Sequence, residues 1–301
     1  MSKFFLNTSQ IKELTAPQIL KDLHEVFSGS QPSDRLNHEY IHASDITSDR
    51  QKFCARDVAL RNNYNIKPPE LKISTSLGYT FSMGNYLQES ITRNLYKKAV
   101  GGWRCGNCSS RVELGTHKEL IKDCRQCTNL GQDHHYRELV IRDKNLKVSA
   151  AIDLIYNNPT INKWEIVECK SIDKDQFKEL KAPLAEHRTR TKLYLKLLKH
   201  NSELTPSLMS RFNLEKAYVL YYCKGFGTKE AKKLGTVGGI FSPFKVFELN
   251  YDDLVCSEEL KNIKDLRNYQ QGLREELPRR LCESIVEHRA CICVSKGYCF
   301  T

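Results

Sequence analysis

Two apolar stretches of this 301-residue chain, AAIDLIY at 150–156 and WEIVECK at 164–170, carry charges where a core would exclude them. Both read as strands, and the Asn157-Asn158-Pro159-Thr160 segment between them is a turn signal. An unpaired buried charge is costly, so charges in such runs need a reason. Alternate side chains of a strand share a face, which puts Glu168 and Lys170 together with Trp164 and Ile166 behind them. Pairing through the turn sets Asp153 roughly opposite Glu168. The plain alternative is a set of solvated charges on an exposed sheet edge, and the apolar context weighs against it.

Two carboxylates beside one ammonium have the chemistry of a hard-cation site. Asp153 and Glu168 are candidate ligands for Mg2+ or Mn2+, which neutralises a phosphate and lowers the pKa of bound water. Lys170 is placed to orient that water or to meet developing charge.

The rest of the chain supplies a mixed α/β frame. Residues 1–50 read as a helical region, with Leu14, Ile19, Leu20, Leu23 and Val26 on one face. A short helix is expected from Cys54 to Arg61 and another from Gly84 to Lys98, the latter on the Leu87, Ile91, Leu95 repeat. Residues 101–133 are rich in Gly and Cys, break every period and read as a self-contained insertion. Strands follow at Tyr136–Ile141, Leu146–Tyr156 and Trp164–Lys170, then a helix from Asp175 to Lys199 broken at Pro183. Further strands are expected at Ala217–Cys223 and Phe244–Leu249, the Gly235–Gly239 loop between them, and a charged helix from Ser257 to Arg274.

The series Gly84-x-x-x-Gln88, Ile152-Asp153-Leu154, Glu168-Cys169-Lys170 and Pro183-x-x-Glu186-His187-x-x-Arg190-x-x-x-Tyr194 resembles the ordered motifs of RecB-type nucleases of the PD-(D/E)XK superfamily. Their usual forms are G-x-x-x-H, a G-x-x-D strand, E-x-K and Q-x-x-x-Y on a helix. The resemblance runs from about Ser44 to the last Cys and rests on order and spacing. It implies a restriction-endonuclease-like core, a mixed central sheet flanked by helices, formed by residues 51–100 and 134–245. It further implies metal-dependent hydrolysis of DNA, an exonuclease acting at ends of single strands or duplexes. Asp153, Glu168, Lys170, Gln88 and Tyr194 would then form the catalytic set. Gln88 stands where a metal-binding His is usual and would be an auxiliary ligand through its amide oxygen. Arg190 stands where Gln is usual, on the face of Tyr194, and would grip a phosphate. The rival reading is a DNA-binding or scaffolding protein that keeps the fold without useful activity.

The twelve cysteines fall into groups. Cys105-x2-Cys108-x15-Cys124-x2-Cys127 has the spacing of a four-thiolate zinc ribbon, with His117, His134 or His135 as alternative ligands. Residues 246–301 hold the Ser257 helix and a tail with Cys282, Cys291, Cys293 and Cys299. This tail and Cys54 resemble the iron-sulfur subgroup of RecB-type nucleases, in which one cysteine before the core and three after it hold a 4Fe-4S cluster. That implies Cys54, Cys282, Cys293 and Cys299 as ligands, with Cys291 competing for the place of Cys293. A second zinc or plain buried thiols are the alternatives. Cys169, Cys223 and Cys256 read as small apolar residues.

Charge and hydropathy narrow the partners. Lys and Arg number 47 against 36 Asp and Glu, a net of +11. From Lys170 to His200 the net is +5, and Arg188, Lys192, Lys196 and Lys199 form one helical stripe. With Arg190 they are expected to track a DNA backbone, the alternative being a solvated helix face. The longest wholly apolar run, Ala217–Cys223, is seven residues, and the amino terminus lacks the apolar stretch of a secretory signal. No membrane partner is expected. A cytoplasmic setting in a prokaryotic or phage-infected cell is the expectation, the latter from the resemblance alone.

Overall fold

The computed structural model describes residues 25, 29–31, 39–48, 53–67, 71–105, 108, 111–116, 134–201, 203–225 and 243–300. The amino-terminal helix expected around Leu14–Val26, the Gly235–Gly239 loop, and Cys124 and Cys127 lie outside them. The chain divides into two compact units, one of residues 1–33 and 68–86 and one of residues 34–67 and 87–301.

In the first unit, β1 (Gly29–Gln31) pairs antiparallel with β3 (Leu71–Ile73). The second unit holds β2 (Ile41–His42), α1 (Ala43–Ile46) and α2 (Ala55–Tyr64). Helix α3 (Thr75–Asn94) starts in the first unit and ends in the second. It begins nine residues before the expected Gly84, where Ser74 Oγ accepts the Leu77 N–H at 3.3 Å. The apolar repeat could not show this start, because only the Leu87–Leu95 half packs on the second unit's sheet.

A seven-stranded mixed sheet carries the second unit. Its strands are β4 (Ala99–Cys105), β5 (Arg111–Thr116), β6 (His134–His135), β9 (Leu154–Asn158), β10 (Lys163–Ile172), β11 (Phe212–Cys223) and β12 (Phe244–Asn250). The order is β12-β11-β10-β9-β4-β5, with β6 on β4, and only β10 and β11 run parallel. A second sheet, β2-β8-β7, contains β7 (Leu139–Asp143) and β8 (Val148–Ile152). Helices α4 (Lys174–Glu179), α5 (Ala185–Lys199), α6 (Pro206–Met209), α7 (Ser257–Gln270), α8 (His288–Ile292) and α9 (Lys296–Cys299) complete it. Mixed sheets flanked by helices are therefore what the chain forms, and the break between α4 and α5 contains Pro183 as expected.

Periodicity explains the packing. On β10, Trp164 and Ile166 join Leu193 and Leu195 of α5, Ile141 of β7 and Ile263 of α7 in the largest core cluster. Val167 and Cys169 point to the other face and meet Ala99, Trp103 and Tyr222, over which Leu87, Ile91 and Leu95 of α3 lie. The start of the expected 101–133 insertion differs from expectation: β4 pairs with β9 and β5 with β4, so this part belongs to the main sheet. One glycine that broke the period, Gly101, has a packing reason. A Cβ on Gly101 would stand 2.4 Å from the Tyr136 ring and 2.8 Å from the Arg137 carbonyl. Among the described residues no helix is long and apolar enough to cross a membrane.

Candidate active site

The site grows from a break in strand pairing. β9 and β10 pair as far as Leu154 against Val167, and beyond that point, among the described residues, β10 is hydrogen-bonded as a strand to β11 alone. The chain that would have covered this half of β10 turns away into β8, so the single strand expected over 146–156 is two strands in two sheets. Asp153 is the residue between them. Its Oδ2 accepts the backbone N–H of Cys169 at 2.9 Å and the Lys170 ammonium at 3.0 Å. The carboxylate thus satisfies a backbone donor that a continuing strand would have taken.

Glu168 is wholly buried, with a relative exposure of 0 %. Lys170 Nζ lies 2.7 Å from its Oε1, and a guanidinium nitrogen of Arg190 lies 3.4 Å from the same oxygen. Its Oε2 is buried without a hydrogen-bond partner. Tyr194, buried on α5, stands beside Glu168 without satisfying that oxygen. Burial and then the Asp153 charge push the Glu168 pKa up to about 7 against the pull of Lys170 and Arg190. Burial works against the Lys170 ammonium, yet Asp153 and Glu168 outweigh it and raise its pKa. Burial, then Glu168 and Asp153, lift the Tyr194 hydroxyl well above its usual range. Asp153, Glu168, Lys170, Arg190 and Tyr194 therefore converge.

Arg190 is committed to the protein. It donates to Thr47 Oγ1 at 3.2 Å and to Glu168, and it pairs with Glu186 one turn earlier. The expected phosphate grip thus has no uncommitted guanidinium behind it. Gln88 also differs from expectation: its amide nitrogen donates to Glu138 at 2.8 Å and approaches the Asp153 carbonyl at 3.5 Å. Glu138 is a carboxylate the sequence reading missed: it lies within the strand expected over Tyr136–Ile141, and the structure sets it just before β7, at a strand end where a charge is ordinary. Desolvation of its carboxyl by neighbouring groups, and then the Asp153 charge, raise its pKa, although the residue as a whole is exposed. A second unassigned group is His187, whose Nδ1 lies 2.7 Å from the Tyr221 hydroxyl. Burial, then the charges of Lys170 and Arg190, lower its pKa to about 3, which keeps the imidazole neutral.

The lysines of the α5 stripe make contacts within the chain. Lys192 pairs with Asp252 at 3.0 Å. Lys196 Nζ donates to the carbonyls of Asp253 and Val255 at 2.6 and 3.1 Å. Lys199 lies 3.5 Å from Glu215 and 3.9 Å from the centre of the Tyr251 ring. Arg188 alone of the four is exposed without such a contact. Three residues of the stripe expected to track DNA thus also clamp residues 251–257.

Part of the cysteine tail packs on α2. Cys54 precedes the helix, and Cys293 Sγ donates to Asp57 Oδ1 at 3.1 Å. Ser295 Oγ donates to the same oxygen at 2.6 Å, and Tyr298 of α9 stacks on Tyr64 at 4.2 Å. Cys54 interacts electrostatically with Cys299 and Cys293, and Cys282 with Cys299. Burial is the main cause raising all three thiols, Cys293 to about 12. Cys291 is exposed, its thiol turned to the carbonyls of Ile285 and Val286. Cys293 rather than Cys291 thus accompanies Cys54. In the other group, Cys105 is buried at the end of β4, Cys108 is exposed, and the register sets His134 across from Cys105.

The donor chemistry fits the groups the resemblance implies. Two carboxylates with one orphaned buried oxygen suit a hard cation, and four free thiols of neighbouring segments suit an iron-sulfur cluster. Among the described residues no three His, Cys, Asp or Glu side chains already stand as a closed metal-binding group. A scan against protein-family models matches none, and a search of curated proteins finds no match.

Proposed function

We propose that this protein is a Mg2+- or Mn2+-dependent deoxyribonuclease with a restriction-endonuclease-like core, acting as an exonuclease on DNA ends. The observation that carries the reading is the buried Glu168 Oε2, left without a partner beside Asp153 and Lys170. A buried carboxylate oxygen without a partner is costly until a proton, a donor or a cation meets it, and beside a second carboxylate a cation serves both. Exonuclease action rests on the family resemblance alone.

A bound divalent cation would neutralise the scissile phosphate and supply an ionised water. Asp153 and Glu168 would hold it. Asp153 is fixed by the Cys169 N–H, so its carboxylate is oriented before any substrate arrives. Lys170, charged throughout the ordinary pH range, is positioned to meet negative charge growing on the phosphate oxygens. Arg190 braces Glu168 from α5 and so acts on the carboxylate rather than on DNA. Cys54, Cys282, Cys293 and Cys299 would hold a 4Fe-4S cluster of structural role, and Cys105 and Cys108 two corners of a zinc site.

The test is incubation of purified protein with end-labelled single- and double-stranded DNA plus Mg2+ or Mn2+. Metal-dependent shortening from the ends is expected, and it should vanish in Asp153→Ala. DNA binding without any metal-dependent product would instead favour a non-catalytic DNA-binding protein. The commitment of Arg190 to Glu168 and Glu186 is the observation on that side.

A further inference from the structure

We propose that Glu138 is a third carboxylate of the cation site, and that Gln88 is a positioning residue that holds Glu138 rather than a ligand. The proposal rests on the nuclease reading of Asp153 and Glu168. One amide nitrogen of Gln88 touches both Glu138 Oε1, at 2.8 Å, and the backbone of Asp153, at 3.5 Å. Glu138 therefore sits next to the strand break that creates the site. The segment before it is rigidly placed. Arg137 accepts the Gly102 N–H at 3.1 Å, and the Tyr136 hydroxyl donates to the Val100 carbonyl at 3.2 Å. Glu138 and the Asp153 backbone are thus joined through one amide nitrogen, which sets the Glu138 carboxylate on the Asp153 side of the sheet.

The bond also settles what Gln88 can do. Its amide nitrogen is a donor, a group that repels cations, and it is turned toward the Glu138 carboxylate and the Asp153 backbone carbonyl. A hard divalent cation prefers carboxylate oxygens to an amide, so the stronger donor in this corner is Glu138. The orphaned Oε2 of wholly buried Glu168 is an independent sign that this carboxylate group is built for a cation and is not merely a cluster of acids.

Calorimetric titration of the full-length protein with MnCl2 tests this without relying on activity. Wild type should show one binding event that Asp153→Asn removes. Glu138→Gln should weaken that event roughly tenfold or more. Its metal-free melting temperature should stay at the wild-type value, since Glu138 is exposed. Gln88→Ala should weaken binding in the wild-type background and add nothing once Glu138 is Gln. Wild-type affinity in Glu138→Gln, with Asp153→Asn still unable to bind, overturns the role of Glu138 and leaves the nuclease reading standing. An undiminished Gln88→Ala effect in the double variant makes Gln88 a ligand and overturns its positioning role. Absence of any Asp153-dependent Mn2+ binding in wild type overturns both the proposal and the reading beneath it.

Discussion

Glu168 holds a proton that an ordinary glutamate would have lost, and the sign of its effect on stability follows from that. Its carboxyl titrates near 7 in the folded protein against an ordinary 4.5, so between those values the native state binds the extra proton. Stability contributed by this residue is thus fully present below 4.5 and is lost as pH rises to about 7. A rise of this size corresponds to roughly 3 kcal/mol. Glu168→Gln, which mimics the protonated side chain, should melt with wild type at pH 5 and above it at pH 8, in chelator, by calorimetry. A divalent cation reverses the ranking, because binding needs the ionised carboxylate and should strengthen from pH 6 to pH 8. An identical pH dependence in both proteins would show that Glu168 does not carry the proton. The residues behind this prediction were legible in the sequence because Asp153, Glu168 and Lys170 interrupt apolar runs. Glu138 was not, since a charge beside Arg137 at the edge of the Leu139–Ile141 run is ordinary for a strand end, and its link to Gln88 spans fifty residues.

At the level of elements, periodicity told which residues share a face and was silent on what that face meets. Arg188, Lys192, Lys196 and Lys199 do lie along α5, yet three of them hold residues 251–257 and Glu215. The strand break at Asp153 was hidden for a related reason, because an apolar run interrupted by one carboxylate looks the same whether it serves one sheet or two. Local signals fared better where a single residue decides the outcome. Pro183 marks the gap before α5, and Asp173 caps α4 by accepting the Asp175 and Gln176 N–H groups at 3.0 Å. The clamp makes a prediction that separates it from a DNA path. Lys196→Met removes the donor to Asp253, Val255 and Ser257 and should cost on the order of 1 kcal/mol. Its DNA affinity, followed by fluorescence anisotropy, should keep the wild-type salt slope. A slope reduced by about one unit at unchanged stability would return this lysine to the DNA backbone.

For the second unit as a whole, the decisive closure joins α2 to the carboxy-terminal tail. Bringing Cys54 and Cys282 together closes a span of about 230 residues, for which the logarithmic term is about 5 kcal/mol. Protein contacts already hold this closure: Arg56 donates to the Pro278 carbonyl at 3.3 Å, Ser295 to Asp57, and Tyr298 lies on Tyr64. A cluster on Cys54, Cys282, Cys293 and Cys299 would add to contacts that exist without it, so its loss should loosen the tail and leave the main sheet folded. Anaerobically purified wild type should be brown with a broad visible band. Cys299→Ala should lose the band and expose α8 and α9 to hydrogen exchange, while β10 and α5 keep their protection. Cys291→Ser should keep both colour and protection, because that thiol faces Ile285 and Val286 instead of Cys54. Colour lost from Cys291→Ser but kept by Cys293→Ser would reverse the ligand choice. Colourless wild type with bound zinc would replace the cluster by a second zinc site on the same four thiols.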